Sequence, residues 1–243
     1  KMYEHAKETG CDVKFESVVD IKKTDDHFKI STDFGSEYEA KTVILTIGTE
    51  RTKLTIPGED DYLGKGLSYC ATCDGNFYKG KTVGVIGGSS SATMAAIMLS
   101  EIAKKVYIVY RKDELRGDPT WKAEALKKEN IEVIYNTMVL GFKGNDKLEG
   151  IKLSKEYNGS DILNVDGLFI EIGSEPNKDL AQKIGIKTDG KGYIVVDQAQ
   201  KTNIEGIWAA GDCTTNSNGF RQIATAISEG AIAANDIFKT INR

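Results

Sequence analysis

Thr82-Val83-Gly84-Val85-Ile86-Gly87-Gly88-Ser89-Ser90-Ser91-Ala92 is the stretch that decides the fold. A short apolar run ends in a Gly/Ser turn over Gly87 to Ser91. The spacing then predicts a helix over Ala92 to Ala103 and a second apolar strand over Val106 to Tyr110. Strand, tight turn, helix and strand make the βαβ unit of a parallel sheet. In that setting the turn reads as a phosphate site: Gly87 permits the bend, Ala92 lets the helix pack close to the strand, and the helix N-terminus offers unpaired N–H groups to a pyrophosphate. Ser89 stands where the usual fingerprint has its second glycine, and its hydroxyl is a further donor. The candidate phosphate-binding residues are therefore Gly87, Gly88, Ser89, Ser90, Ser91 and Ala92. The alternative is a strand-to-helix turn that holds no ligand.

A dinucleotide site selective for NADH carries an acidic residue about 20 residues further on, at the end of the second strand. Here that place reads Tyr110-Arg111-Lys112, with Arg116 close behind. Arg111, Lys112 and Arg116 are suited to neutralise a 2′-phosphate, which points to NADPH, although a solvated basic loop has the same composition. Met94 and Met98 are expected in the core of the helix.

Upstream lies Tyr69-Cys70-Ala71-Thr72-Cys73-Asp74-Gly75. Two thiols at this spacing serve disulfide exchange or a metal, and zinc would need two further ligands that Cys11, Cys213, His5 and His27 do not supply as a second pair. A purely structural disulfide is the other reading. Asp74, next to the second thiol, is placed to move a proton, though Asp-Gly is also a common turn dipeptide. A hydride donor delivers two electrons at once while a disulfide accepts them by thiolate chemistry, so a flavin is expected between the two.

The remaining chain supports an α/β reading. Alternating runs over Val13 to Val18, Phe28 to Ser31 and Tyr38 to Ala40 suggest a small meander leading to a buried strand, Thr42 to Ile47. Pro57-Gly58 and Gly64-Lys65-Gly66 punctuate a polar connection read as a domain crossing, and Gly173 to Asn177 reads as the return. Between them follow a helix near Thr120 to Glu129 with Pro119 in its first turn, a strand over Ile131 to Tyr135, a hairpin at Gly144-Asn145-Asp146 and a strand over Leu168 to Ile172. Tyr193 to Val196, Gly206 to Ala210 and a helix over Ile223 to Phe238 complete the pattern.

At 243 residues with a net charge of −4, the chain gives no electrostatic reason to expect nucleic acid or an anionic membrane as partner. Its longest apolar run falls far short of the roughly 20 residues of a spanning helix. Four cysteines with one close pair suggest a reducing compartment, the cytoplasm. Lys1 opens in the middle of an amphipathic pattern, from which an upstream segment is expected.

The Cys70 to Gly75 motif, the Gly87 to Ala92 turn, the Arg111 to Arg116 cluster and Trp208-Ala209-Ala210-Gly211-Asp212 together resemble low-molecular-weight thioredoxin reductase, a family of FAD-dependent pyridine nucleotide-disulfide oxidoreductases. The resemblance implies two Rossmann-like dinucleotide-binding domains (three-layer β/β/α), the nicotinamide domain inserted into the FAD domain. On that pattern residues 1–55 and 174–243 belong to the FAD domain, truncated at its N-terminus, and residues 56–173 to the NADPH and redox-disulfide domain. It further implies FAD contacts from Gly211, Asp212, Arg221, Gln222, Ile223 and Ala224, with Cys73 the flavin-proximal thiol, Cys70 the interchange thiol and Asp74 the acid/base. NADPH as donor, thioredoxin or a similar small dithiol protein as acceptor, a homodimer, and rotation of the nicotinamide domain about the two crossings are implied as well. Ser89, Tyr110, Lys112 and Ile47 depart from the family pattern. Two rivals stand: a related flavin-dependent disulfide reductase with another donor or acceptor, and a non-catalytic nucleotide-binding redox module.

Overall fold

The computed structural model describes residues 2–242, so Lys1 and Arg243, the outer limits of the expected FAD-domain segments, lie outside the described residues. The chain divides into two compact units, Lys1–Glu50 with Glu175–Arg243, and Arg51–Ser174. The Gly58 to Gly66 stretch, read from sequence as a crossing, lies inside the second unit. There the Lys65 carbonyl accepts from the Leu148 N–H at 2.8 Å.

The first unit opens with helix α1 (Met2–Glu8) and strands β1 (Val18–Lys23), β2 (Phe28–Thr32) and β3 (Glu37–Ala40), an antiparallel meander in the order β1-β2-β3. Strand β1 starts where the expected strand over Val13 to Val18 was to end. Phe15 is 81% exposed, and the segment before β1 is fixed by side-chain bonds, Thr32 and Tyr38 both donating to Glu16. Alternation alone does not make a strand when no partner's ladder reaches it. Strand β4 (Val43–Leu45) is the core of the expected Thr42 to Ile47 strand, and β5 (Thr49–Arg51) follows.

The second unit contains α2 (Glu59–Tyr62), β6 (Leu67–Ser68), α3 (Ala71–Asp74), β7 (Thr82–Ile86), α4 (Ser90–Ser100), β8 (Lys105–Val109), α5 (Pro119–Lys127), β9 (Ile131–Ile134), β10 (Val139–Lys143), β11 (Gly150–Tyr157), β12 (Ser160–Asn164) and β13 (Gly167–Ile170). Strands β6, β13, β7, β8 and β9 pair in that order, each pair parallel. Period-2 alternation divides their side chains between two layers. Val83, Val85, Val106, Ile108 and Phe169 face a core shared with Ala92, Ala95, Ala96 and Leu99 of α4. Ile86, Val109, Leu168 and Ile170 face the opposite core, shared with Ile151, Leu153 and Leu163 of the antiparallel sheet β10-β11-β12. The unit is thus layered β/β/α. Each such fully buried aliphatic or Phe side chain stabilises it by about 1.5–3 kcal/mol.

Helix α4 starts at Ser90, so the glycine turn is shorter than Gly87 to Ser91. Pro119 takes the first turn of α5 behind an Asp118 cap, whose side chain accepts from the Thr120 N–H. Met98 packs against the helix-side core, but Met94, expected there too, is 47% exposed because it lies on the face of α4 turned from the sheet.

The chain returns to the first unit through β14 (Ser174–Pro176), α6 (Asp179–Lys183), β15 (Ile207–Ala209) and α7 (Ile223–Ile241). Strand β15 pairs in parallel with β4, placing Leu45, Ile207 and Ala209 in one core with Ile21, Phe28 and Ala181. Tyr193 to Val196 is not a strand: Asp189 accepts the N–H groups of Lys191 and Tyr193, and only isolated bridges at Ile194 survive. Among the described residues no helix is long and apolar enough to cross a membrane.

Candidate functional site

Cys70 and Cys73 are joined in a disulfide with Cα atoms 5.3 Å apart. The redox motif follows β6, so the sheet edge aims it: Cys70 caps the short helix α3 and its Sγ accepts from the Cys73 N–H at 3.2 Å. Cys70 is half-buried and Cys73 exposed. Buried Ser68 braces the motif, its Oγ accepting from the Cys70 N–H at 3.0 Å and donating to Asp74 Oδ2 at 2.7 Å. Asp74 therefore lies within the same hydrogen-bonded turn as the disulfide.

A second brace holds Tyr69. Its hydroxyl donates to the Glu59 carboxylate, which also accepts the Leu54 N–H at 2.9 Å and the Thr55 N–H at 2.8 Å. Glu59 is 5% exposed. Burial, then the Glu59 hydrogen bond, hold the Tyr69 phenol above its ordinary value. Leu54 and Ile56 beside this carboxylate line the cleft described next.

That cleft, about 390 Å³, opens outside the carboxyl ends of the parallel strands and is lined by Gly87, Gly88, Ser89, Tyr110, Arg111, Arg116 and Glu171 among others. Gly87 sits at φ +143°, and a Cβ there would collide with the Glu171 carbonyl oxygen and crowd the Cβ of Ala92. A Cβ on Gly88 would enter the Tyr110 ring. Both glycines are therefore required by packing as well as by any ligand. The loop after β8 folds back over this turn: the Arg116 N–H donates to the Gly88 carbonyl at 2.6 Å and its Nε to the Tyr110 hydroxyl at 3.0 Å. The Asp118 N–H donates to Ser90 Oγ at 2.9 Å.

Of the expected nucleotide residues, Gly87, Gly88, Ser89, Arg111 and Arg116 come together in the cleft. Ser90 and Ser91 form the first turn of α4, and Ala92 is fully buried beneath it. Lys112 is exposed and does not line the cleft. Ser89 precedes α4 in an extended conformation and makes no capping hydrogen bond. The first turn of α4 thus has no acceptor from the Ser89 side chain, and the glycine turn before it shares the cleft with two guanidinium groups, an arrangement that fits an anionic dinucleotide.

In the first unit, Gly211 follows β15 at φ +83° and its N–H donates at 2.8 Å to Glu229 of α7, a 4% exposed carboxylate that also takes Thr214 and Ser217 hydroxyls. Arg221 stacks 3.8 Å over the Tyr193 ring and donates from Nε to the Asp212 carbonyl at 3.1 Å. Gln222 caps α7 in a reciprocal box with Thr225, and Ile223 and Ala224 are exposed on its first turn. The residues expected to hold a flavin are therefore neighbours, and the half-buried Asp212 carboxylate meets no protein donor among the described residues, which fits a polyol ligand. Ser68, Glu59, Glu171 and Glu229 belong to none of the motifs read in the sequence. The available signal was a polar residue inside an otherwise apolar run, as at Phe169-Ile170-Glu171-Ile172.

A parallel sheet with a glycine turn and a basic cleft, carrying a Cys-x-x-Cys disulfide in the same unit, defines a nucleotide-linked disulfide enzyme. The family model for pyridine nucleotide-disulphide oxidoreductases matches residues 4–230, and the chain belongs to that family. The relatives it is similar to include thioredoxin reductases. That of Mycoplasma genitalium is 39% identical over 96% of this chain and 74% of its own length. That of Bacillus subtilis is 38% identical over 98% and 74%. Among solved structures, the thioredoxin reductase of Lactococcus lactis superposes with a TM-score of 0.89 at 35% identity, covering 98% of this chain and 78% of that one. The thioredoxin reductase of T. acidophilum gives 0.84 at 39% identity, covering 94% of this chain and 74% of that one.

Proposed function

We propose that the chain reduces the disulfide of a small redox protein, thioredoxin, with electrons passed from NADPH through FAD to the Cys70–Cys73 pair. The observation that supports this reading is the formed disulfide in the same unit as a cleft lined by a glycine turn and two arginines, on a chain similar to thioredoxin reductases. Bound nicotinamide and flavin supply the two-electron chemistry. Ser89 and the first turn of α4 bind the pyrophosphate, and Arg111 and Arg116 take the 2′-phosphate. Gly211 and Asp212 hold the ribityl chain, with Arg221 to Ala224 at the flavin ring.

On reduction the Cys70–Cys73 bond would open to a dithiol, Cys73 being the sulfur that the family resemblance assigns to receive electrons from bound flavin. The Cys70 thiolate then attacks one sulfur of the partner's disulfide, and Cys73 displaces the partner from the mixed disulfide, re-forming Cys70–Cys73 and releasing a dithiol. Asp74, held by Ser68, takes and returns the proton that this exchange moves. Thioredoxin lies near about −270 mV, so a pair much less reducing would not sustain turnover.

Anaerobic titration of the flavin-loaded protein with NADPH and separately with NADH tests the reading. Bleaching of the flavin by NADPH together with the appearance of two new thiols is expected, and bleaching by neither nucleotide rules the donor out. Arg116→Ala is expected to weaken NADPH binding about 10- to 100-fold, the loss of a charge-assisted hydrogen bond to phosphate, while leaving NADH binding unchanged. An equal loss for both nucleotides, measured by equilibrium titration, removes the 2′-phosphate assignment.

A further inference from the structure

Glu171 is the acidic side chain that the nucleotide reading leaves without a task. It follows β13, its N–H donates to the Ile86 carbonyl at 2.8 Å, and its own carbonyl flanks Gly87. Its side chain lines the cleft yet is only 7% exposed, among Leu54, Ile56 and Ile172. The one polar group that meets the carboxylate among the described residues is Arg51 Nη1, 3.4 Å from Oε2. Arg51 is itself half exposed, so the pair is long and one-sided. A carboxylate in this setting is costly to bury, and an apolar residue would fill the position without that cost. Burial raises its carboxyl above the usual range, with Arg51 opposing. A perturbed acid facing a ligand cleft points to function.

Strand order says which part of the ligand it meets. The glycine turn follows β7, the middle strand; β8 on one side leads into Arg111 and Arg116, and β13 on the other ends at Glu171. A dinucleotide with its pyrophosphate at the turn puts one nucleoside on each side. If the basic side takes the phosphorylated adenosine, the nicotinamide nucleoside lies on the Glu171 side.

We infer that Glu171 is a positioning and selectivity residue for the nicotinamide half: its carboxylate accepts from that nucleoside's hydroxyl or carboxamide groups and favours the cationic, oxidised ring over the neutral, reduced one. This rests on the cleft being the pyridine dinucleotide site. A carboxylate offers only acceptors, which the nucleoside's donors match, and its charge acts on a ring whose charge changes on oxidation. The consequence for the reaction is that this side of the cleft stabilises the nucleotide after hydride has left it.

The test is calorimetric titration of the flavin-loaded protein and its Glu171→Gln variant with three probes. These are NADP+, the redox-inert tetrahydro-NADP with its neutral ring, and 2′-phospho-ADP-ribose, which lacks nicotinamide. Glu171→Gln is expected to weaken NADP+ about tenfold, to change tetrahydro-NADP by less, and to leave 2′-phospho-ADP-ribose unchanged. Glu171→Ala is expected to move the NADP+ to tetrahydro-NADP ratio in the same direction. An unaltered ratio in both variants, or an equal loss for all three probes, overturns the inference while leaving the cleft's assignment in place. Wild-type protein that binds none of the three overturns that assignment and the inference with it.

Discussion

Cys70→Ser and Cys73→Ser are each expected to lower turnover with a protein disulfide at least about 10³-fold, to the background of the assay, while NADPH still bleaches the flavin. Each variant retains one sulfur of the pair, so neither can open and re-form the Cys70–Cys73 bond on which the exchange depends. The two halves of the reaction separate because the cleft proposed for the dinucleotide contains neither cysteine. Thiol counting gives an independent reading. The oxidised protein holds free thiols at exposed Cys11 and buried Cys213, and burial pushes the Cys213 thiol up. One thiol is therefore expected to react quickly in the native state and the second only on unfolding, with two more appearing after reduction. Undiminished turnover in either serine variant removes the disulfide from the mechanism.

The elements legible in the sequence were those whose cause is local. The Thr82 to Ile86 strand, the glycine turn and the Pro119 helix start rest on residues adjacent in the chain, and each falls within a few positions of its expected place. The disulfide was open to other readings from spacing alone, and the fold forms it by bringing the two sulfurs around one turn of α3. Less legible was anything decided by a distant partner. Val13 to Val18 alternates like a strand, yet the ladder against β2 runs over Val18 to Lys23, because the partner's register and the clamp on Glu16 fix where pairing starts. Met94 and Met98 have equal hydrophobicity, and only the direction of the α4 face separates them. Glu171 meets Arg51 across 120 positions of chain, a relation that no motif of fixed spacing could reveal. The basic cluster was read as a set, but the fold brings Arg111 and Arg116 to the cleft and leaves Lys112 outside, since the chain turns back between them to hydrogen-bond Gly88.

Glu59 offers the sharpest separation of architecture from chemistry. Its buried carboxylate takes the Leu54 and Thr55 N–H groups and the Tyr69 hydroxyl, tying the loop that lines the cleft to the residue before Cys70. Thr55 is held at φ +60°, a conformation that costs a threonine energy and needs its neighbours to enforce it. Glu59→Leu leaves three donors without an acceptor, and is expected to destabilise the second unit by about 3 kcal/mol. For a protein of this size that corresponds to a fall of roughly 6–12 °C in Tm, read by thermal or urea unfolding. Glu59→Gln keeps one acceptor oxygen and turns an amide donor toward a donor, so about half of that loss is expected. Tyr69→Phe removes a single bond and is expected to cost about 1 kcal/mol. Because the carboxylate anchors the Leu54 loop, Glu59→Leu should also weaken dinucleotide binding, whereas Tyr69→Phe should not. Glu59→Leu that melts with the wild type would mean that water replaces the carboxylate at no cost, and that the cleft and the redox turn are held together by packing alone.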